Sequence, residues 1–376
     1  MKTKLILLTL AAFLLLSSSA FADYDTLWTK YTHSIYNLEF SNDDSKIFTV
    51  GDEGVIIFDT KTSEEVYRMP LLEKSAIWDA CYDNDNSKFI VARETYNEFN
   101  HLSAFIDIYN AYNNDFIKTI NIPDEYFRHG NFSVRISKNG ELIALTSLYG
   151  LLLLDSETGD IIKEIPHELD YLNNPKWIYT DFEFSKDGKY LIYLRSDDQL
   201  VFQNTTTYDI EFIYPALRFD LAISDDGSLI AFTSKEDGKA VIIMDYITKE
   251  YLKFIPGKST GATTLTFSNN SEYLYVGGLN SRYGLYIFEI QSIELIDEIF
   301  PKGSFTHVDI SSNDDKIISH ASDYMFLIEY NPSRIFNNDM NVNKTYPNPT
   351  TNKVNISFNI EYPTELQLTV TDNNGK

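Results

Sequence analysis

A sevenfold internal repeat constrains the fold of this 376-residue chain more than any other feature. Each copy is anchored on one serine or aspartate, and consecutive anchors are 39 to 54 residues apart. The anchors are Ser41, Asp83, Ser137, Ser185, Ser224, Ser268 and Ser311. This spacing is typical of blades built from four short strands, because each strand and turn uses about ten residues. The sequence therefore predicts an all-β fold, a seven-bladed β-propeller.

The residues around each anchor predict a strand, a tight turn and a returning strand. Apolar side chains stand three and one residues before the anchor, as in Leu38 and Phe40, which is the period-two burial of one strand face. Two residues after the anchor every copy has Asp or Asn, often followed by Gly, as in Asp187-Gly188. These residues tolerate the positive φ of a hairpin turn. Apolar segments such as 151–155 and 161–165 then supply the third and fourth strands.

The two ends of the repeat region are expected to meet. A closed ring hides sheet edges that would otherwise pair with other chains. We expect residues 26–31 to supply a strand to the last blade and so to fasten the ring. The predicted propeller spans residues 23–336 and is followed by a polar linker at 337–345.

The N-terminus has the features of a secretory signal peptide. Two lysines precede an apolar run at 5–16, and Ala20-Phe21-Ala22 supplies the small-residue pattern that signal peptidase reads. We predict cleavage between Ala22 and Asp23, which makes residues 1–22 the signal peptide. The run is too short to span a bilayer comfortably.

Charge and cysteine content exclude several classes of partner. Lys and Arg total 31 against 55 Asp and Glu, a formal net charge of −24, which disfavours nucleic acids and anionic membranes. The single cysteine, Cys81, excludes an intrachain disulfide and a thiolate metal cluster. We predict that Cys81 is a small buried apolar residue and not a nucleophile.

The repeats resemble the WD-repeat and YVTN-type propeller superfamily. The resembling residues are the turn at 184–188, the strand end Ile57-Phe58-Asp59 and the turn at Thr158-Gly159. The Gly-His and Trp-Asp signatures of eukaryotic WD repeats and the tryptophan-docking motifs of quinoprotein propellers are not visible, which favours the looser bacterial relatives. The resemblance covers residues 24 to 336 and implies a fold, not a function.

The C-terminal segment resembles the type A sorting domain of the type IX (Por) secretion system. The resemblance lies in Tyr346-Pro347-Asn348-Pro349, in alternating apolar residues at 354–360, and in a strand at 366–372 that leads to Gly375-Lys376. In that family the module is a small β-sandwich, and we expect residues 346–376 to form part of one. The resemblance implies contact with the type IX machinery and a secreted, extracellular or cell-surface location in a Gram-negative bacterium. The chain stops about halfway through the module, so we expect a fragment or a broken signal.

Catalytic and metal-binding motifs are not apparent. The six histidines show no metal-ligand spacing, and the sequence contains no GxSxG, P-loop or GxGxxG. Asp83, Asp85, Ser87 and Glu94 match positions 1, 3, 5 and 12 of a calcium loop. Lys88 stands where that loop needs glycine, and the repeat register places 85–86 in a hairpin turn. We therefore predict no metal, no cofactor and no catalytic residue.

Insertions predict a loop-rich face. They fall between the second and third strands and in the links between blades, at 94–103, 123–132, 166–180 and 278–284, and these loops emerge on the same face of a propeller. Variable loops on a rigid ring commonly carry recognition, and aromatic residues beside Arg are typical contacts. The alternative is that the aromatics only fasten long loops. The candidate ligand-binding residues are Tyr96, Phe99, His101, Tyr126, Phe127, Arg128, His129, Tyr171, Trp177, Arg282 and Tyr283.

These features lead to a principal hypothesis and two alternatives. The principal hypothesis is an exported, non-catalytic binding module for an extracellular protein or glycan. The first alternative is an enzyme, resembling lactonases or hydrolases among YVTN-like propellers, whose site at the central channel uses residues such as Arg128, His129 and His167. It requires acidic or histidine groups that converge at the channel mouth. The second alternative is a purely structural surface protein.

Overall fold

Seven four-stranded antiparallel sheets account for nearly all regular structure in the described part of the chain. The computed structural model describes residues 26–69, 75–83, 87–96, 102–126, 133–147, 150–167, 178–217, 219–258, 262–279, 284–299, 305–321, 323–330, 345–346 and 355–356. One short 3-10 helix, Asp124–Tyr126, follows the second sheet. The seven-bladed propeller predicted from the repeat is confirmed.

The strands follow one another in the chain with the same inside-to-outside order in blades 1 to 6. Blades 1 to 4 comprise β2 Ile35–Phe40, β3 Lys46–Gly51, β4 Gly54–Asp59 and β5 Glu65–Arg68; β6 Ser75–Tyr82, β7 Lys88–Tyr96, β8 Leu102–Asn110 and β9 Phe116–Ile122; β10 Val134–Ile136, β11 Leu142–Ser147, β12 Gly150–Asp155 and β13 Ile161–Pro166; and β14 Ile178–Phe184, β15 Tyr190–Arg195, β16 Gln199–Asn204 and β17 Ile210–Pro215. Blades 5 to 7 comprise β18 Leu221–Ile223, β19 Leu229–Thr233, β20 Lys239–Asp245 and β21 Tyr251–Pro256; β22 Thr264–Phe267, β23 Tyr273–Gly277, β24 Leu285–Glu289 and β25 Leu295–Ile299; and β26 Phe305–Ile310, β27 Lys316–Ala321 and β28 Tyr324–Glu329, completed by β1 Thr26–Tyr31.

The ring closes in two ways. The first strands of the blades contact one another in an unbroken cycle, from β2 to β6 and onward to β26, which contacts β2 again. In addition, β1 pairs antiparallel with β28, so the N-terminal strand completes the blade formed by the C-terminal end of the repeat region. Trp28 of β1 also donates its indole N–H to the carbonyl of Thr60 in blade 1, at 2.8 Å. The predicted closure by residues 26–31 is confirmed.

Apolar cores lie between consecutive sheets. The residues one and three before the anchors enter these cores, as Phe182 and Phe184 show. The second strands are buried on both faces, and every residue of β15 is buried. Phe48 and Phe89, for example, pack against each other in the core that joins blades 1 and 2, with ring centroids 5.4 Å apart and ring planes tilted by 56°. Burial of both sheet faces explains the high apolar and aromatic content of the repeats.

The anchor serines fold the hairpin turn at the end of each first strand. In blade 5 the Ser224 hydroxyl donates to Asp226 Oδ1 at 2.6 Å and accepts the backbone N–H of Leu229 at 2.9 Å. Gly227, three residues after the anchor, has φ of +71°, as the Asp-Gly pair predicts. The anchor hydroxyl therefore satisfies one backbone N–H of the turn and holds the aspartate side chain in place.

We expect Ser224→Ala to lower the free energy of unfolding by about 1.5 kcal/mol, because it removes the acceptor of a buried N–H. Chemical denaturation of the full chain would measure this. Ser228→Ala is the matched control, since the bond from Ser228 Oγ to the same aspartate is exposed to solvent and its loss should change stability by less than about 0.5 kcal/mol. Equal losses for the two variants would contradict this role of the anchor.

The C-terminal segment contributes one described pairing, an antiparallel contact of β29 (Thr345–Tyr346) with β30 (Asn355–Ile356). The repeat region Asp25–Tyr330 forms a compact unit by itself. The predicted signal peptide with its cleavage site at Ala22 and Asp23, residues 337–344 of the predicted linker, and Pro347, Asn348 and Pro349 lie outside the described residues. The proposed domain bounds stay predictions.

Candidate functional site

The inner edges of the seven first strands surround a central channel of about 1300 Å³. Because side chains alternate along a strand, the residues between the buried apolar positions face the channel. They stand four and two residues before each anchor and line the channel. The loop-side tier, nearer the loop-rich face, is Asn37, Asp79, Ser133, Asp181, Asp220, Thr264 and His307. The turn-side tier is Glu39, Cys81, Arg135, Glu183, Ala222, Thr266 and Asp309.

Several channel carboxylates connect one blade to the next. A first strand has no partner strand on its channel side, so its N–H groups there need other acceptors. Asp79 Oδ2 accepts the N–H of Val134 at 3.1 Å, and Asp309 Oδ2 accepts the N–H of Phe40 at 2.7 Å. Glu39 and Asp220 do the same for Tyr82 and Leu265. These four carboxylates therefore have a structural role at the blade junctions.

Local irregularities of the backbone set the direction of some side chains of the loop-side tier. The pairing register shifts immediately before Asn37, Asp79 and His307, which leaves one extra residue in each first strand. Such β-bulges turn the following side chain and are common beside functional sites. The extra residues Tyr36 and Trp78 themselves line the channel.

Arg135 is the cation within the two tiers. Its Nη1 donates to Asp79 Oδ2 and its Nε donates to Glu183 Oε1, both at 2.8 Å. Its guanidinium also lies over the ring of Phe182, with 5.7 Å between the guanidinium carbon and the ring centroid. One buried guanidinium thus joins carboxylates of blades 2 and 4 across blade 3. The tiers nevertheless carry six carboxyl groups, so the channel wall is acidic.

Burial sets the protonation of the channel groups. It raises the pKa of Glu39 to about 7, an increase to which the nearby Asp309 and Asp79 add and which Arg135 opposes. It raises the pKa of Asp309 to about 6 and also raises the pKa of Asp79. Burial lowers the pKa of His307 to about 4, so its imidazole is neutral near pH 7. The buried channel therefore favours neutral forms over charged ones.

We expect Glu39→Gln to change the pH dependence of stability. Because the folded state raises the pKa of Glu39, the native protein binds more protons than the unfolded chain between pH 4.5 and 7. Glu39 therefore makes its full contribution to stability below pH 4.5, and this contribution is lost as the pH rises to about 7. Gln resembles the neutral acid. The free energy of unfolding of the variant, relative to that of the wild type, should therefore increase by on the order of 2 kcal/mol when the pH is raised from 5 to 8. Urea unfolding at both pH values measures the difference, and a pH-independent difference would contradict it.

Asp181 and Asp220 form a pair unlike the other carboxylates. They come from the loop-side tier of blades 4 and 5, and their carboxyl groups hydrogen bond to each other, which requires one of them to hold a proton. Burial and mutual repulsion raise the pKa of Asp181, and burial raises that of Asp220. Asp181 Oδ2 is buried without a hydrogen-bond partner among the described residues. Two carboxylates that share a proton can act in acid–base chemistry or can bind a cation.

Most of the predicted loop-face residues lie outside the described part of the chain. These are Phe99, His101, Phe127, Arg128, His129, Tyr171, Trp177, Arg282 and Tyr283. Tyr96 ends β7 on the loop-rich face and donates its hydroxyl to Glu94 at 2.6 Å. Tyr126 packs against the core between blades 2 and 3. Their assignment to a ligand stays a prediction.

The other residues singled out from the sequence have structural surroundings. Cys81 lines the channel and also packs against the core between blades 2 and 3, and burial raises its thiol pKa, which disfavours a reactive thiolate. His167 is buried just after β13 and is not among the described residues that line the channel. Asp83 accepts bonds from Lys88 N–H and Ser87 Oγ, both at 2.9 Å, and a strand begins at Lys88. The calcium-like spacing therefore coincides with the hairpin that the repeat register predicts.

Within the described ranges, no three His, Cys, Asp or Glu side chains are grouped as a metal site would need. The channel tiers do not show in local sequence motifs or in loops, because their members stand far apart in the chain. The available signal was the positions two and four before each anchor, which hold acids in several repeats.

Comparison with known proteins identifies one segment. Residues 344–376 match a family model described as the secretion system C-terminal sorting domain. A comparison with curated proteins finds no match. No helix among the described residues has the length and hydropathy of a membrane span. The chain therefore joins a seven-bladed β-propeller to a type IX secretion sorting domain and is exported to the cell surface or the extracellular space.

Proposed function

We propose that this protein is a secreted binding module. Its propeller binds an extracellular ligand, a protein or a glycan, at the loop-rich face and in the channel that opens there. The observation that carries the proposal is the asymmetry of the channel wall. The anchors and cores repeat in every blade, whereas the wall presents carboxyl groups, a guanidinium, an imidazole and hydroxyls on different blades. A polar wall of this kind on a rigid ring can orient one ligand specifically.

Thermal melting of the exported protein tests the proposal. The panel contains cell-wall and plant glycans, peptides, sugar lactones, and calcium with and without chelator. A ligand at a hundred times its dissociation constant should add about 2.7 kcal/mol to the free energy of unfolding. No stabilisation by any member at that excess would count against a small ligand and would require a pull-down with extracellular proteins; failure of both would overturn the proposal.

Variants then locate the site. Trp177→Ala and Tyr126→Ala change the predicted loop-face aromatics, and Glu183→Gln changes the channel wall. Tyr112→Ala is the matched control, because Tyr112 is a 73% exposed tyrosine in the turn between β8 and β9, at the opposite face. We expect the loop-face or channel variants to abolish the ligand-induced shift and the control to keep it. A loss with Tyr112→Ala alone would place the site elsewhere.

A second candidate function is an enzyme of the hydrolase or lactonase class. The Asp181–Asp220 pair favours it, because a shared proton allows one carboxyl to act as acid and the other as base. Turnover of sugar lactones that is lost in Asp220→Asn would support the enzyme. Ligand binding without turnover of any panel member would favour the binding module.

A further inference from the structure

The Asp181–Asp220 pair has one feature that blade connection does not explain. Asp220 accepts the N–H groups of Leu221 and Leu265 and so joins blade 5 to blade 6. Asp181 has no such role: its carboxyl meets that of Asp220, and its Oδ2 is a buried oxygen without a described partner. Buried polar atoms are nearly always satisfied, so a partner from outside the protein is the natural completion.

The surroundings select the charge of that partner. The charged groups that face the pair are Glu183 on β14 and Arg135 on β10, and Arg135 already binds Asp79 and Glu183. From blade 6 the pair meets the hydroxyl of Thr264. Carboxyl groups therefore outnumber cations around the pair, which favours a cationic partner over an anionic one.

The shape of the surroundings selects the kind of cation. Phe219, which precedes Asp220, is 45% exposed and lines the channel. An aromatic ring beside carboxylates suits a protonated amine, whose three N–H donors bind oxygens and whose charge is attracted to the ring face. The described carboxylates do not form a metal cluster.

We propose that Asp181 and Asp220, with Phe219 at the entrance, bind a protonated primary amine in the channel. This inference rests on the proposed binding function and names its ligand chemistry. The ammonium group takes the place of the proton between the two carboxyls: the singly protonated pair plus R–NH₃⁺ gives the doubly ionised pair bound to R–NH₃⁺, with one H⁺ released. The amine comes either from a free diamine or from a lysine side chain of a protein partner.

Isothermal titration calorimetry of the full exported chain tests the proposal. The probes are putrescine, a lysine-containing peptide, and the same peptide acetylated on lysine, with Ca²⁺ as a further control. We expect one of the two amines to bind, the acetylated peptide to bind at least about tenfold more weakly, and the preference between the amines to identify the source. Titrations in buffers of different ionisation enthalpy at pH 8, where the pair holds a single proton, should show release of about one proton per bound amine.

Variants separate this site from a general effect of negative charge. Asp181→Asn should weaken amine binding by about tenfold or more and abolish proton release. Phe219→Ala should weaken binding a few-fold and keep proton release. Asp225→Asn is the matched control, because Asp225 lines the same channel near the turns, paired with Lys186, and it should leave amine affinity unchanged. Melting curves would establish that each variant is folded.

The proposal would be overturned by no binding of either amine at roughly 10 mM, by equal binding of the acetylated peptide, or by unchanged affinity in a folded Asp181→Asn variant. Tighter binding of Ca²⁺ than of both amines would also overturn it. If a panel glycan still stabilises the protein while amines fail, the binding function stands and only the amine site is wrong. If nothing binds, both proposals fall together.

Discussion

Replacing Arg135 by leucine is expected to lower the free energy of unfolding by about 3 kcal/mol at pH 8. The substitution removes the donor of two 2.8 Å bonds and leaves Asp79 and Glu183 without their cation. The Asp79 side chain is only 6% exposed, so water cannot replace the guanidinium there. Urea denaturation of the full chain measures the loss.

The matched control for this prediction is Arg68→Leu. Arg68 also joins two carboxylates, Glu53 and Glu65, but its side chain is 42% exposed. Exposed ion pairs contribute little, so this change should cost less than about 1 kcal/mol. Acidification to pH 5 should reduce the loss in Arg135→Leu, because an unpaired buried carboxylate takes up a proton more readily. Equal costs at positions 135 and 68 would show that burial does not matter here.

Deleting the closure strand, residues 26–31, is expected to destabilise the propeller by more than about 4 kcal/mol. The deletion removes the fourth strand of blade 7, uncovers the edge of β28 and removes the Trp28 contact with blade 1. An uncovered edge also pairs with other chains, so dimers or aggregates should accompany the loss of stability. Thermal melting and light scattering measure the two effects.

A synthetic peptide of residues 23–33 provides the decisive test of closure. Added to the deletion variant it should restore much of the stability, whereas a scrambled peptide should not. Within the intact chain, Trp28→Ala should cost about 3 kcal/mol. Leu27→Ala, at a 45% exposed position of the same strand, should cost less than about 0.5 kcal/mol. If the deletion variant melts like the intact protein, the strand does not close the ring in solution.

The architecture could be predicted from the sequence because its determinants are local and repeated. The buried pairs before each anchor, such as Leu38 and Phe40, specify one strand face by period two. The anchor turn follows from short-range chemistry, as the Ser185 hydroxyl with Asp187 shows. Closure by residues 26–31 followed from the need to cover an edge, and the register with β28 confirms it.

The channel site could not be found in the same way, because its members come from different repeats. Asp181 and Asp220 belong to separate blades, and no short spacing brings them together. Their positions also vary in residue type from blade to blade, so alignment of the repeats shows no consensus there. Acids that connect blades, such as Asp79 and Asp309, occupy equivalent positions, and only their contacts distinguish them from Asp181. The loop-face aromatics remain predictions of the sequence.

The closure strand has a consequence for the order of events during synthesis. Thr26 of β1 pairs with Ile328 of β28. The first strand of the propeller to be synthesised therefore cannot pair until one of the last strands has been made. At 5–20 residues per second, roughly 300 residues take about 15–60 s to make. For that interval β1 has no native partner, and a second nascent copy offers the same edge. Exchange of this strand between molecules would therefore be limited most by chaperone protection of the N-terminal segment. Faster folding of any single blade would have less effect.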